Sequence, residues 1–107
     1  MNAVTTANRR IVLRLFVAGT TASAEKAKAA LEVICAHLRS SDVTASVDLQ
    51  IVDVLADPDT ALMDQVFATP TVIRVSPGPS RRLFGDLSSP EMVMIGLQLA
   101  PEASLVS

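Results

Sequence analysis

Residues 67–88 read Phe-Ala-Thr-Pro-Thr-Val-Ile-Arg-Val-Ser-Pro-Gly-Pro-Ser-Arg-Arg-Leu-Phe-Gly-Asp-Leu-Ser, and this stretch decides the fold. Two short β-type runs, 71–75 and 81–84, flank a Pro/Gly loop over 76–80, which predicts a hairpin with a long loop. Pro70 stands directly before the first run, where its missing N–H costs a strand least. An X–Pro bond is cis in only about 5–6% of cases, so composition alone assigns no isomer to Thr69–Pro70. Past the hairpin, Gly85-Asp86-Leu87 turns the chain into a last helix. Ser88 or Ser89 suits its N-cap, Pro90 its first position, and Glu91 the positive helix end. Residues 91–99 are nearly all apolar and include the β-formers Val93 and Ile95. Helix is favoured by the cap, although Gly96 costs it about 1 kcal/mol relative to Ala.

Upstream, residues 11–18 are apolar at every position but Arg14. Such a run suits a central strand covered on both faces. Arg14 reads either as a side chain leaning past the sheet end to water or as a cation held for a partner carboxylate. The turn over 19–23 leads into a helix with Ser23 as its expected N-cap and Glu25 in its first turn. Ala24, Ala27, Leu31, Ile34, Cys35 and Leu38 recur at three- and four-residue steps, an amphipathic stripe. Residues 47–54 make a second strand, and a strand–helix–strand run of this spacing is a parallel, right-handed βαβ unit. Asp57-Pro58-Asp59 starts another helix, with Leu62, Met63, Val66 and Phe67 as its expected apolar face. That helix ends before Pro70, because Thr69 is pushed out of the α region.

The order β-α-β-α-β-β-α is that of a single thioredoxin-like α/β domain. It is expected over residues 11–100, with a flexible leader over 1–10 and a short tail over 101–107. A chain of 107 residues, half of them hydrophobic, is one domain with an aliphatic core. Its net charge of −2 makes no general electrostatic case for nucleic acid or an anionic membrane. No apolar run approaches the roughly 20 residues of a membrane span, and the polar N-terminus has no signal-peptide core. A cytoplasmic location is the default expectation.

The chemistry-bearing residues are few. A thioredoxin-type enzyme carries Cys-x-x-Cys at the start of its first helix, where the dipole activates a thiol. Here those positions hold Thr20-Thr21-Ala22-Ser23, and the one cysteine, Cys35, lies on the core stripe. His37 is alone, which argues against a metal site or a catalytic triad. Asp53, Asp57, Asp59 and Asp64 form an acidic group best read as solvated helix-start residues. Arg74, Arg81 and Arg82 place three cations on one hairpin. They serve either to protect an edge strand or to dock an acidic partner through bidentate pairs. No cofactor is expected, and nucleic acid is disfavoured for want of exposed aromatics beside the arginines.

Five segments together resemble the KaiB circadian-clock proteins: Leu13-x-Leu15-Phe16-Val17-Ala18-Gly19; Val52-Asp53-Val54 with Pro58; Ala68-Thr69-Pro70-Thr71; Pro77-x-Pro79-x-Arg81-Arg82; and Gly85-Asp86-Leu87-Ser88. The resemblance runs from about Ile11 to Leu99. It implies a non-enzymatic regulator that binds the hexameric RecA-like ATPase and kinase KaiC and modulates its phosphorylation cycle. It also implies a cis-proline corner at Thr69–Pro70, and a second fold, tetrameric, with a rearranged C-terminal half. A homodimer or homotetramer is therefore an expected state, and Gly96, Thr69 and Pro70 are expected structural positions for the switch. By position, the partner-facing residues are Lys26, Arg82, Gly85 and Asp86, to which the hairpin argument adds Arg74 and Arg81. The chain departs from the cyanobacterial pattern at Phe16, where Tyr is usual, at Gln65, where Lys is common, and at Gln98, where Asp is common. The alternative reading is a thioredoxin-like domain with a thiol- or glutathione-linked role, which Cys35 would have to carry.

Overall fold

The structure, a computed structural model, describes residues 9–99. Most of the expected leader and all of the expected tail lie outside the described residues. The elements are β1 (Arg10–Val17), α1 (Ala22–Ser41), β2 (Ser46–Asp53), α2 (Pro58–Met63), β3 (Thr71–Ser76), β4 (Arg81–Phe84) and α3 (Pro90–Gly96). They form one four-stranded sheet in the order β2-β1-β3-β4. β2 runs parallel to β1 from Arg10↔Ser46 to Val17↔Asp53. β3 is antiparallel to β1, with a register shift between Val12 and Leu13, and β4 folds back antiparallel on β3. The ambiguous last segment is a helix, capped as expected: Ser89 Oγ accepts from Met92 N–H, and Pro90 opens the first turn.

Alternation along β1 builds two cores. Ile11, Leu13, Leu15 and Val17 face α1 and α3, and join the stripe from Ala24 to Leu38 with Leu87, Val93 and Leu97. Each large aliphatic side chain buried there contributes about 1.5–3 kcal/mol. The opposite face is thinly covered. Phe16, Ala61 and Ile73 form a small second core, with Val52, Val54, Val66 and Val75 packed against it.

Three expectations change. The N-cap of α1 is Thr21, not Ser23, because Thr21 Oγ1 accepts from Ala24 N–H at 3.2 Å and the helix begins two residues earlier. The expected apolar face of α2 does not form: Leu62 (71%), Met63 (83%) and Phe67 (87%) are exposed, and within the helix only Ala61 is buried. The helix is six residues long, and Gln65 then turns the chain at φ 56°, so the stripe is cut before Val66 and Phe67 can continue it. Finally, β2 is an edge strand, which leaves Ile51 45% exposed. Arg14 follows neither of its two expected courses: its guanidinium pairs with this chain's own Asp64 at 2.7 Å and with Gln50 at 2.8 Å.

Candidate functional site

The sheet's end at the start of α1 gathers several of the expected residues. Lys26 lies in the second turn of α1, above Thr21, and Pro70 precedes β3 through a cis peptide bond with Thr69. Gly85 follows β4 at φ 108°, a backbone geometry that favours glycine, and its N–H reaches the Pro70 carbonyl at 3.4 Å. Ala22, Ser23, Lys26, Pro70, Gly85 and Asp86 line one cleft there, with Leu87 and Ser88. Asp86 accepts from Ser88 Oγ at 2.6 Å and from Ser88 N–H at 3.0 Å. Those bonds, the hydroxyl first and the amide second, hold the carboxyl below the usual aspartate range, and the Lys26 charge acts in the same direction. Lys26, Gly85, Asp86 and Pro70 therefore share one surface, of mixed charge. It occupies the place where a dithiol enzyme carries its cysteines.

The hairpin arginines part company. Period-2 alternation sends Arg82 to one face of the sheet and Arg81 and Arg74 to the other. All three donate to main-chain oxygens near helix ends or in the hairpin loop. Arg82 Nη1 and Nη2 hold the carbonyls of Gln65 (3.0 Å) and Asp64 (2.8 Å), just past α2. Arg81 Nε reaches the Gly96 carbonyl at 3.4 Å, and Arg74 Nη1 the Gln98 carbonyl at 3.4 Å, at the close of α3. A cation at these carbonyls opposes the negative end of the helix dipole. Gln65 and Gln98 both sit at positive φ, 56° and 55°, so each helix is broken by a left-handed residue whose carbonyl an arginine then holds.

Arg74 is 8% exposed, and its Nη2 bonds the Pro79 carbonyl at 3.0 Å. Its Nε has no partner among the described residues. Buried in this way it braces the hairpin against α3, which corrects its expected place on an outward docking face. Arg81 and Arg82 remain exposed. Gly96 faces β4: a Cβ built on it would lie 2.9 Å from Leu83 Cδ2.

Around the acidic group, Asp53 Oδ1 accepts from Gly19 and Leu55 N–H, both at 3.0 Å, and Asp57 caps α2 through Thr60. Among the described residues no cluster of three or more His, Cys, Asp or Glu is placed to hold a metal ion. Cys35 is 2% exposed, and burial pushes its thiol pKa up against the lowering effect of Arg39. His37 is exposed. No described helix is long and apolar enough to cross a membrane.

Sequence reasoning missed a second cleft, lined by Gln65, Phe67, Ala68, Thr71, Arg82 and Phe84. Phe67 and Phe84 are 87% and 65% exposed, so aromatic rings do accompany Arg82 at the surface. The signal was present in part, since alternation along β4 puts Arg82 and Phe84 on the same face. Phe67 was hidden by the helix it was assigned to.

Comparison with known proteins bears on the whole of this surface. The KaiB domain model matches residues 14–99. Circadian clock protein KaiB3 of Synechocystis sp. is 37% identical over 93 residues, 87% of this chain and 87% of that protein. Circadian clock oscillator protein KaiB of Acaryochloris marina is 40% identical over 91 residues, 85% and 84% of the two chains. Among solved structures, the N-terminal domain of Synechococcus elongatus SasA superposes with a TM-score of 0.65 at 21% identity, covering 86% of this chain and 87% of that one. Fasciola hepatica thioredoxin gives 0.64 at 17%, covering 94% and 89%. At those identities the likeness speaks for the fold, which is thioredoxin-like. With the family model spanning nearly all of the described sheet and helices, and two clock proteins matching at this level, the chain belongs to the KaiB family.

Proposed function

We propose that this protein is a non-enzymatic regulator, working in the cytoplasm, that docks on a KaiC-like hexameric ATPase and modulates its phosphorylation or ATPase cycle. The observation that carries the reading is the shared surface of Lys26, Gly85, Asp86 and Pro70. It stands where a redox relative keeps its thiols, and it offers charge and backbone in their place. Lys26 and Asp86 give the surface both signs of charge, which fixes the orientation of a partner more than it adds affinity. Arg82 lies on the adjoining strand and extends the contact; Arg74 contributes through the hairpin it braces. The thiol-linked alternative has less support, since Cys35 is sealed in the core with its thiolate disfavoured.

The thioredoxin-like monomer is the binding form in this reading. A second, tetrameric arrangement of the C-terminal half, reached by remaking β3, β4 and α3, is its resting counterpart. Residues 91–99, with two β-formers inside a helix, suit such an exchange.

Size-exclusion chromatography with the KaiC-like ATPase of the same organism, in ATP and in ADP, tests the proposal. Nucleotide-dependent co-elution that Asp86→Arg abolishes is the expected result. Absence of a complex in either nucleotide, after incubation long enough for slow refolding, overturns it.

A further inference from the structure

The sheet order leaves β4 with one unpaired edge. On one face of that edge lies the Phe67–Phe84 cleft. Two of the three phenylalanines in the chain are thus turned to solvent within one small groove. At the same groove Arg82 is held by the Asp64 and Gln65 carbonyls, so its planar fork is fixed before any partner arrives. No carboxylate pairs with Arg82 among the described residues. On the other face Arg81 stands directly across from Arg74 in the ladder. The charge along this edge is therefore of one sign on both faces.

We propose that the free edge of β4 and the Phe67–Phe84 cleft receive an extended segment of a partner protein that carries a carboxylate and an apolar side chain two residues apart. Strand addition supplies main-chain hydrogen bonds, and alternate side chains supply selectivity. The apolar side chain enters between Phe67 and Phe84, and the carboxylate pairs with Arg82, whose pre-set geometry spares the entropy of ordering a long side chain.

Charge selects this occupant. A segment without carboxylates leaves Arg81 and Arg82 uncompensated, which is how charged edge strands discourage casual pairing. A second copy joined antiparallel about Arg82 sets like charges directly opposite each other. Single-stranded nucleic acid could stack on the two rings, but one arginine in the cleft of a net-negative chain offers little to a run of phosphates. The surface does not require the ATPase assignment above, and its test uses the protein alone.

The experiment measures fluorescence anisotropy with a labelled octapeptide alternating Glu with Val and Ile. Its controls are a Lys-for-Glu version, a version N-methylated on alternate backbone nitrogens, and a thymidine octanucleotide. The Glu peptide is expected to bind, and all three controls to bind about ten-fold more weakly or not at all. Arg82→Glu is expected to lose the Glu peptide and gain the Lys peptide, an exchange that an unfolded variant would not make. Phe84→Ser is expected to weaken both. Equal binding of the Lys or N-methylated peptide overturns the proposal, as does tighter binding of the oligonucleotide or no binding at millimolar peptide. Sedimentation showing a dimer that Phe84→Ser dissociates would give the edge to a second copy and overturn it as well.

Discussion

Gly96 lies so close beneath Leu83 that a methyl group on it would meet Cδ2 at 2.9 Å and Cδ1 at 3.1 Å. Two effects oppose each other there. Replacing a helical Gly by Ala gains about 1 kcal/mol of helix propensity, while the added methyl must displace the end of the Leu83 side chain. That end can rotate, so Gly96→Ala alone is expected to change stability by less than about 1 kcal/mol. In a Leu83→Val background the obstruction shrinks and the propensity gain emerges. Urea unfolding of the four proteins of this cycle should give a coupling of about 0.5–1 kcal/mol. Strict additivity would show that the two side chains do not meet.

Arg14 and Asp64 join the centre of the sheet to the end of α2 across the thin face. Both side chains are about three-quarters shielded, at 26% exposure each, so the pair exceeds the usual surface ion pair. Asp64→Ala is expected to cost about 1–2 kcal/mol, because it leaves a partly buried guanidinium with Gln50 alone. Arg14→Met, which also removes the charge that would be stranded, should cost less. Denaturant midpoints decide the order.

Asp53 binds the turn after β1 to the end of β2 through the Gly19 and Leu55 amides, in that order of effect, and they hold its pKa below the ordinary 3.8. The folded carboxylate takes up a proton less readily than the unfolded one. Its contribution is therefore complete above the unfolded value and fades as pH falls through the lower folded value. Asp42 and Asp86 shift in the same direction. The expected acid limb lies below about pH 4, and Asp53→Asn should make it shallower. Carboxyl NMR titration of Asp53 with a midpoint at or above 3.8 would contradict this assignment.

Cys35 is sealed between α1 and the sheet. Its modification by a thiol reagent at mild alkaline pH should therefore proceed through unfolding, with a rate that climbs in urea along the global transition. Cys35→Ser is expected to lose about 1–2 kcal/mol by burying a hydroxyl while leaving ATPase docking intact. Rapid labelling of the native protein would reopen the thiol-linked reading.

Capping and alternation made most of this architecture readable from residues. Asp57-Pro58, Ser89-Pro90 and the Pro-rich loop each announce their element locally, and the alternating pattern of β1 gives both cores. α2 was readable only at its start. Its length is set by the left-handed Gln65, a conformation that no local signal in a glutamine announces, and the exposure of Phe67 follows from that. The site shows the same division. Lys26 and Gly85-Asp86 are far apart in sequence, and their meeting depends on the parallel crossover and the hairpin returning to one end of the sheet. Arg74 and Arg82 look alike as letters. Strand alternation separates them by face, and only the position of the two helix ends determines what each one holds.

The ladder between β1 and β3 is short, five residue pairs from Val12↔Ser76 to Phe16↔Thr71. Everything after β2 hangs largely from that seam, while β1, α1 and β2 close on one another. Because Arg82, Arg81 and Arg74 tie both short helices to the hairpin, α2, β3, β4 and α3 are linked as one body. The chain thus has the mechanics of a garment with a single line of stitching: opening it frees half of the protein in one piece and leaves the other half dressed.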